Sequence, residues 1–433
     1  MEKFFKLKEH GTTVSKEVVG GLTTFFAMAY IIFVNPSFLA KTGMDQNALM
    51  LATCLASALG TFLTAFLANV PFAQAPGMGL NAFFTFSVCL GMGYTWQQGL
   101  AIVFISGLLF FAVAVSPLRV KVIESIPAPL KNAISAGIGL FIALIGLLNS
   151  GIVVANNNLL DLGKITSGAP LLAIIGLLIT GVLMAAGVKA AILIGIVATT
   201  LIGIPMGVTT LPGQITMTGI SLAPVFFKMD FGGLLSLGVL PLVTAIITFA
   251  ICDMFDTVGT LIGTAGNAGM LNEKGELQGG DRALIADAIA TVTGACLGTS
   301  TVTTFVESST GISEGARTGL SSVVVGLCFV ASCVLAPIAG IIPGAATAPA
   351  LIIVGVLMLR AAARIEWGDF ETAMPCFLTI AMMPFAYSIT DGIGFGFISW
   401  VVIKVFRGKA GEVPALMYIL SGLFVLMYIL SNL

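Results

Sequence analysis

Long apolar stretches recur along the chain from Val18 to Leu430, separated by short polar gaps, and this recurrence dictates where such a chain can fold. A helical crossing of a hydrocarbon core takes roughly 20 apolar residues. Only 9% of the residues are charged and 58% are hydrophobic, against about 25% charged in an ordinary soluble domain, so this surface cannot be wetted all round. A membrane barrel needs strands of about ten residues that alternate apolar and polar, whereas Leu171 to Ala186 is apolar on every face. The reading is an all-α polytopic membrane protein. It excludes a soluble enzyme, a nucleic-acid binder and a disordered scaffold.

Windows bounded by Pro, Gly and charge fall at 17–38, 48–69, 78–92, 97–116, 127–149, 169–187, 190–205, 236–262, 283–297, 303–313, 318–337, 344–360, 370–388 and 390–405, which makes 14 expected transmembrane segments. With a cytoplasmic N-terminus, all of the 19 basic residues except Lys41, Lys164 and Lys228 collect on the inner side, the asymmetry that the positive-inside rule describes. The expected location is therefore the cell (inner or plasma) membrane, crossed many times. A further apolar run at 414–430 is either another crossing or an interfacial helix. Met1 to Lys16 is polar and lacks the apolar core of a cleaved signal. The seven cysteines form no CxxC and read as small buried hydrophobes. Glu314, Glu273 and Glu276 sit beside Arg317 or Lys274 and read as solvated or paired at the inner interface, and Asn35-Pro36 reads as a helix end.

Two windows are anomalous. The third opens on Pro71-Phe-Ala-Gln-Ala-Pro-Gly-Met-Gly-Leu-Asn81, and the tenth follows the hydroxyl-rich Gly298 to Thr304 and then brings Glu307. They occupy matching places if the chain is two repeats of seven spans, and an odd number per repeat inverts the second copy across the bilayer. Paired Gly/Pro-broken segments in inverted halves point to a midplane binding site, because irregular backbone survives at membrane depth only where protein or a watered cavity satisfies it. Each is read as a short extended strand running into a half-helix.

Carboxylates in hydrocarbon are expensive and default to function. Asp253 and Asp256 lie one turn apart in the eighth window, with Thr257, Gly259 and Thr260 on the same stripe, Asp287 lies in the ninth and Glu307 in the tenth. No Lys, Arg or His shares the centre of those windows, so the acids carry protons, bind a cation or accept hydrogen bonds from a solute. The alternative for Asp253 and Asp287 is a packing role. The only His is His10, which rules out an imidazole proton relay in the membrane. Asn81 is placed to present its amide to a ligand, and Phe305 either stacks on a planar ligand or packs. No nucleophile–His pair, zinc motif or phosphate-binding Gly loop is present, so the chain reads as no enzyme, with no cofactor.

Gly21 to Pro36, Ala75 to Phe84, Phe255 to Gly263 and Thr301 to Gly319 together resemble the AzgA-like branch of the nucleobase-cation symporters, and the resemblance runs through essentially the whole chain. It implies the fold of the uracil permease: inverted repeats, short strands in spans 3 and 10, a core domain of spans 1–4 and 8–11 (1–125 and 231–338) and a gate domain of spans 5–7 and 12–14 (126–230 and 339–433). By the resemblance, Asp256 and Glu307 are the substrate-binding acids, and Asp253 and Asn81 match residues that the purine branch uses. Thr24 and Thr260 stand where the uracil permease has His, which puts the uracil-type relay in doubt. Thr303 and Phe305 complete the implied pocket.

The reading is secondary active uptake of purine bases by proton symport, the proton carried by Glu307, Asp256 and Asp253, through movement of core against gate. Carboxylates accept ring N–H groups better than neutral acceptors do. Hypoxanthine and guanine are favoured over adenine, though acids alone do not separate a 6-oxo from a 6-amino edge. The partners are then a purine base and the lipid bilayer, with no nucleic acid. Exposed gate helices of this composition also allow a homodimer. An anion exchanger of related fold or a solute channel stands as the alternative.

Overall fold

The computed structural model describes residues 2–156, 159–210, 221–272, 277–335 and 341–431. Glu273, Lys274 and Glu276, expected at the inner interface, lie outside the described residues. Glu314 does pair, but with Lys189.

Helix starts follow capping chemistry. A short α1 (Glu2–Phe5) precedes α2 (Val14–Met28), where the Thr13 side chain accepts from the Lys16 N–H. After a break at Ala29 and Tyr30 the chain resumes as α3 (Ile31–Leu39), and α4 (Gln46–Leu63) starts at Asp45, whose carboxylate accepts from the Ala48 N–H. Then β1 (Gln74–Pro76) leads into α5 (Met78–Ala82), which widens into a π-helix over Phe83–Gly91. A Thr95–Gln98 capping box opens α6 (Trp96–Val115). There follow α7 (Leu118–Ser125), α8 (Ala128–Asn149), a hairpin of β2 (Val153–Asn156) and β3 (Leu159–Leu162), α9 (Gly168–Ala185) and α10 (Ala191–Gly203). The second half runs α11 (Val239–Asn267), α12 (Gly280–Leu297), β4 (Val302–Thr304), α13 (Ser308–Ser313), α14 (Gly319–Ser332), α15 (Gly344–Leu359), α16 (Phe370–Phe385), α17 (Ile389–Phe406) and α18 (Ala415–Ser431).

Among the described residues, eight helical stretches are long and apolar enough to cross a membrane, and five shorter apolar helices accompany them. The run at 414–430 is a helix of its own, set off from α17 by a turn at Ala410–Glu412. The helices α2, α4 and α6 pack on α11 to α14, whereas α8, α9 and α10 pack on α15 to α17. The two groups meet where α3 touches α15, α5 touches α8 and α2 touches α10.

The two broken segments find each other. Strands β1 and β4 pair antiparallel, with Gln74 opposite Thr304, Ala75 opposite Thr303 and Pro76 opposite Val302. Beyond the strands, the Phe305 N–H donates to the Ala73 carbonyl at 2.9 Å and the Gly77 N–H to the Thr301 carbonyl at 3.1 Å. Hydroxyls close the outer edges. Thr61 Oγ1 accepts the Gln74 N–H and donates to the Gln74 carbonyl, each at 3.0 Å, Ser308 Oγ accepts the Ala73 N–H at 3.0 Å, and Thr291 Oγ1 accepts the Val302 N–H at 3.2 Å.

Asn35-Pro36 does not end a helix, contrary to the expectation. Pro36 lies inside α3, and the break falls earlier, at Ala29 and Tyr30. Asn35 is fully buried and its amide donates to Thr53 Oγ1 at 2.7 Å and Thr299 Oγ1 at 3.0 Å, so it joins α3 to α4 and to the approach to β4. This fixes the segment despite the hydrogen bond that the proline cannot make.

Glu17, in the first turn of α2, is another buried acid. Its carboxylate accepts the N–H groups of Arg317 at 2.7 Å, Thr318 at 3.2 Å and Ser321 at 3.1 Å, and thereby satisfies the open start of α14. The same interface is built on glycine. A Cβ on Gly20 would lie 2.7 Å from Ala316 Cβ and 2.8 Å from the Gly311 carbonyl oxygen, and one on Gly311 would run into Thr24 Oγ1. Gly20→Val is expected to destabilise the purified protein by about 1–3 kcal/mol or more, read as a lower thermal midpoint in detergent. Gly259→Ala, where nothing lies within 4 Å of the new methyl, should leave the midpoint within about 1 kcal/mol of the parent.

Candidate functional site

The crossing of β1 and β4 is ringed by polar side chains that the sequence disperses over 230 residues. From α11, Thr257 Oγ1 lies 2.8 Å from Thr303 Oγ1 and accepts the Thr304 N–H at 3.4 Å. From α12, Thr291 donates to Asp253 Oδ2 at 2.7 Å. Asp287 accepts from Gln74 Nε2 at 3.0 Å and from Thr304 Oγ1 at 3.1 Å, so one carboxylate clasps both strands.

The four acids divide by exposure. Asp253 and Asp287 are sealed, 1% and 0% exposed, and each bonds to residues that hold the strands. Asp256 is exposed and Glu307 is half-buried. Asp256 is exposed although protein crowds around it, so it lines an open recess. The stripe that continues from it along α11 is open as well: nothing lies within 4 Å of a methyl built on Gly259 or Gly263, and Thr260 between them is half-buried. Asp256 and Glu307 are close enough to interact electrostatically. Among the described residues, none of these four acids joins a salt bridge.

Glu307 has a fixed neighbour. The Tyr30 hydroxyl, from the break between α2 and α3, donates to Glu307 Oε1 at 2.7 Å, and Tyr30 is 1% exposed. The remaining expected residues fall around the same crossing. Thr303 is buried in β4 and lies beside Asp253 and Asp256. Phe305 is buried directly after β4. Asn81 is fully buried, its amide turned back to the Pro76 carbonyl at 3.3 Å. Thr24 is buried against Gly311 at the α2–α13 contact.

Reading the sequence assigned no role to Tyr30, Gln74, Thr257 or Thr291. The signal was present for three of them, since Thr257 lies on the polar stripe beside Asp256, Gln74 is the one amide ahead of Asn81 in the first broken segment and Tyr30 carries a hydroxyl inside a long apolar stretch.

A helical membrane fold with carboxylates held beside two crossed broken segments defines a membrane permease, not an enzyme. Residues 15–395 match the family model Xan_ur_permease, described as "Permease family". The chain belongs to this family, that of the nucleobase-cation symporters. It is 45% identical over 441 residues to the guanine/hypoxanthine permease PbuG of Bacillus subtilis, covering 99% of each chain. It is 43% identical over 427 residues to the adenine permease AdeP of Escherichia coli, covering 98% of this chain and 95% of that one. In fold it is similar to the transmembrane domain of the cyanobacterial bicarbonate transporter BicA, with a TM-score of 0.64 at 15% identity over 89% of this chain and 97% of that domain.

The difference in exposure is open to chemical test. In a variant without the native cysteines, Gly259→Cys and Gly263→Cys should react with a water-soluble maleimide in detergent solution. Ala290→Cys, at a position 0% exposed on α12, should stay unmodified until the protein is unfolded, as read by mass shift.

Proposed function

We propose that this permease imports purine nucleobases together with protons. The observation that carries the reading is the pair of accessible acids, Asp256 and Glu307, set beside the strand crossing and joined to no cation by a salt bridge among the described residues. A planar base with N–H donors on its edge suits two such acceptors, since hydrogen bonds to ionised groups are the strong ones. Relatives named as guanine/hypoxanthine and adenine permeases align over nearly the entire chain, which supports a purine as the solute. Hypoxanthine and guanine are the favoured cargo, and adenine the second.

In this reading Asp256 and Glu307 hold the base and take up the coupling proton, with Asp253 behind them. Thr303, Phe305 and Asn81 shape the pocket, and Thr24 and Thr260 flank it. The group containing α2 to α6 and α11 to α14 acts as the moving core, and α8 to α10 with α15 to α17 as the gate, in a cell membrane with the N-terminus inside. Proton coupling has a clear sign: uptake is greatest when the outside is acidic, falls as external pH rises, and collapses with a protonophore.

The test is uptake of labelled hypoxanthine in cells lacking their own purine permeases, competed by guanine, adenine, xanthine and uracil. Competition by guanine supports the 6-oxopurine assignment, and competition by adenine alone moves the cargo to adenine. Absence of uptake for every base would remove the proposal. Glu307→Gln and Asp256→Asn should each lower uptake by about a hundredfold while the protein remains in the membrane at normal abundance.

A further inference from the structure

Among the described residues, Tyr30 is the one side chain with a hydrogen bond to the Glu307 carboxylate, and we infer that it is a positioning residue that decides which oxygen of Glu307 the solute meets. The inference rests on the purine reading above and deepens it. Three observations carry it.

First, the phenol is 1% exposed and its hydroxyl spends its proton on Glu307 Oε1 at 2.7 Å. A buried hydroxyl without a partner is costly, so this bond is not idle surface decoration. Second, Glu307 stands directly ahead of α13 and is half-buried, and its other oxygen, Oε2, accepts no hydrogen bond from another described residue. Toward the rest of the chain the carboxylate is therefore one-sided: Oε1 is taken by the phenol, and the other described bond to it comes from Glu307's own backbone. Third, Tyr30 sits at the two-residue break, Ala29 and Tyr30, between α2 and α3, where the local bonds tighten to Ile32 N–H with Ala29 C=O and Phe33 N–H with Tyr30 C=O. From this break the Tyr30 ring reaches Glu307, the residue directly ahead of α13. A carboxylate held by one oxygen keeps a defined plane, so the base meets an acceptor in a set direction and does not first have to order it.

Tyr30→Phe keeps the ring and the packing and removes only the donor. With labelled hypoxanthine as the probe, the expected result is a KM raised about tenfold, with a much smaller change in maximal rate and no loss of the protein from the membrane. Glu307→Asp, which keeps the charge but draws the carboxylate back from the phenol, should raise KM similarly, and the double variant should cost little beyond either single change, because the two residues act as one unit. A normal KM in Tyr30→Phe beside an active parent overturns the inference and leaves the purine reading standing. Additive effects in the double variant overturn it too. If Tyr30→Phe does not reach the membrane, the decision falls to Tyr30→His, which keeps a ring with an N–H donor but not its reach to Oε1: a normal KM rejects the inference, and a KM raised at normal abundance in the membrane upholds it. A parent that takes up no purine removes both readings.

Discussion

The structure hangs on backbone groups that have nowhere else to go. Residues 73 to 77 and 301 to 305 are too irregular to satisfy themselves as helix, and no water inside hydrocarbon would do it for them. Pairing β1 with β4 solves this for each segment with the other's groups, and Thr61, Thr257, Thr291 and Ser308 close what the pairing leaves open. Four helices must therefore bring a hydroxyl to one place. That requirement fixes how α4, α11, α12 and α13 stand around the crossing, and with them the acids they carry.

The carboxylates then separate into two kinds by position alone. Asp253 and Asp287 face inward to Thr291, Thr304 and Gln74, where they tie strands to helices. Asp256, one turn beyond Asp253, comes out on the open stripe with Gly259 and Gly263. One turn of α11 thus divides a framework acid from an accessible one. Glu307 reaches the same open side from the same repeat, while Tyr30 and β1, which hold it and its strand, come from the first half of the chain.

Much of this was legible in the chain. Apolar windows located the helices because burial in lipid leaves a length signature that needs no partner. The broken segments were visible as Pro, Gly and Thr where a helix former was due, and the intramembrane acids as charges in apolar runs. What sequence could not give was pairing. Tyr30 with Glu307 and Gln74 with Asp287 span 277 and 213 residues, and nothing local in a tyrosine or a glutamine tells which distant carboxylate it will meet. Asn35-Pro36 misled for a related reason: the proline rule describes an isolated helix, and here buried bonds from Asn35 to Thr53 and Thr299 hold the turn that the rule would end.

Glu17 gives the chain an order of assembly. The N–H groups that its carboxylate needs belong to Arg317, Thr318 and Ser321, the first of them 300 residues downstream. During synthesis the first membrane helix must wait with that acid unmatched while most of the protein is still being made. Its final seat exists only once α14 has emerged, so the opening segment of the chain cannot be locked in place until most of the protein has been made.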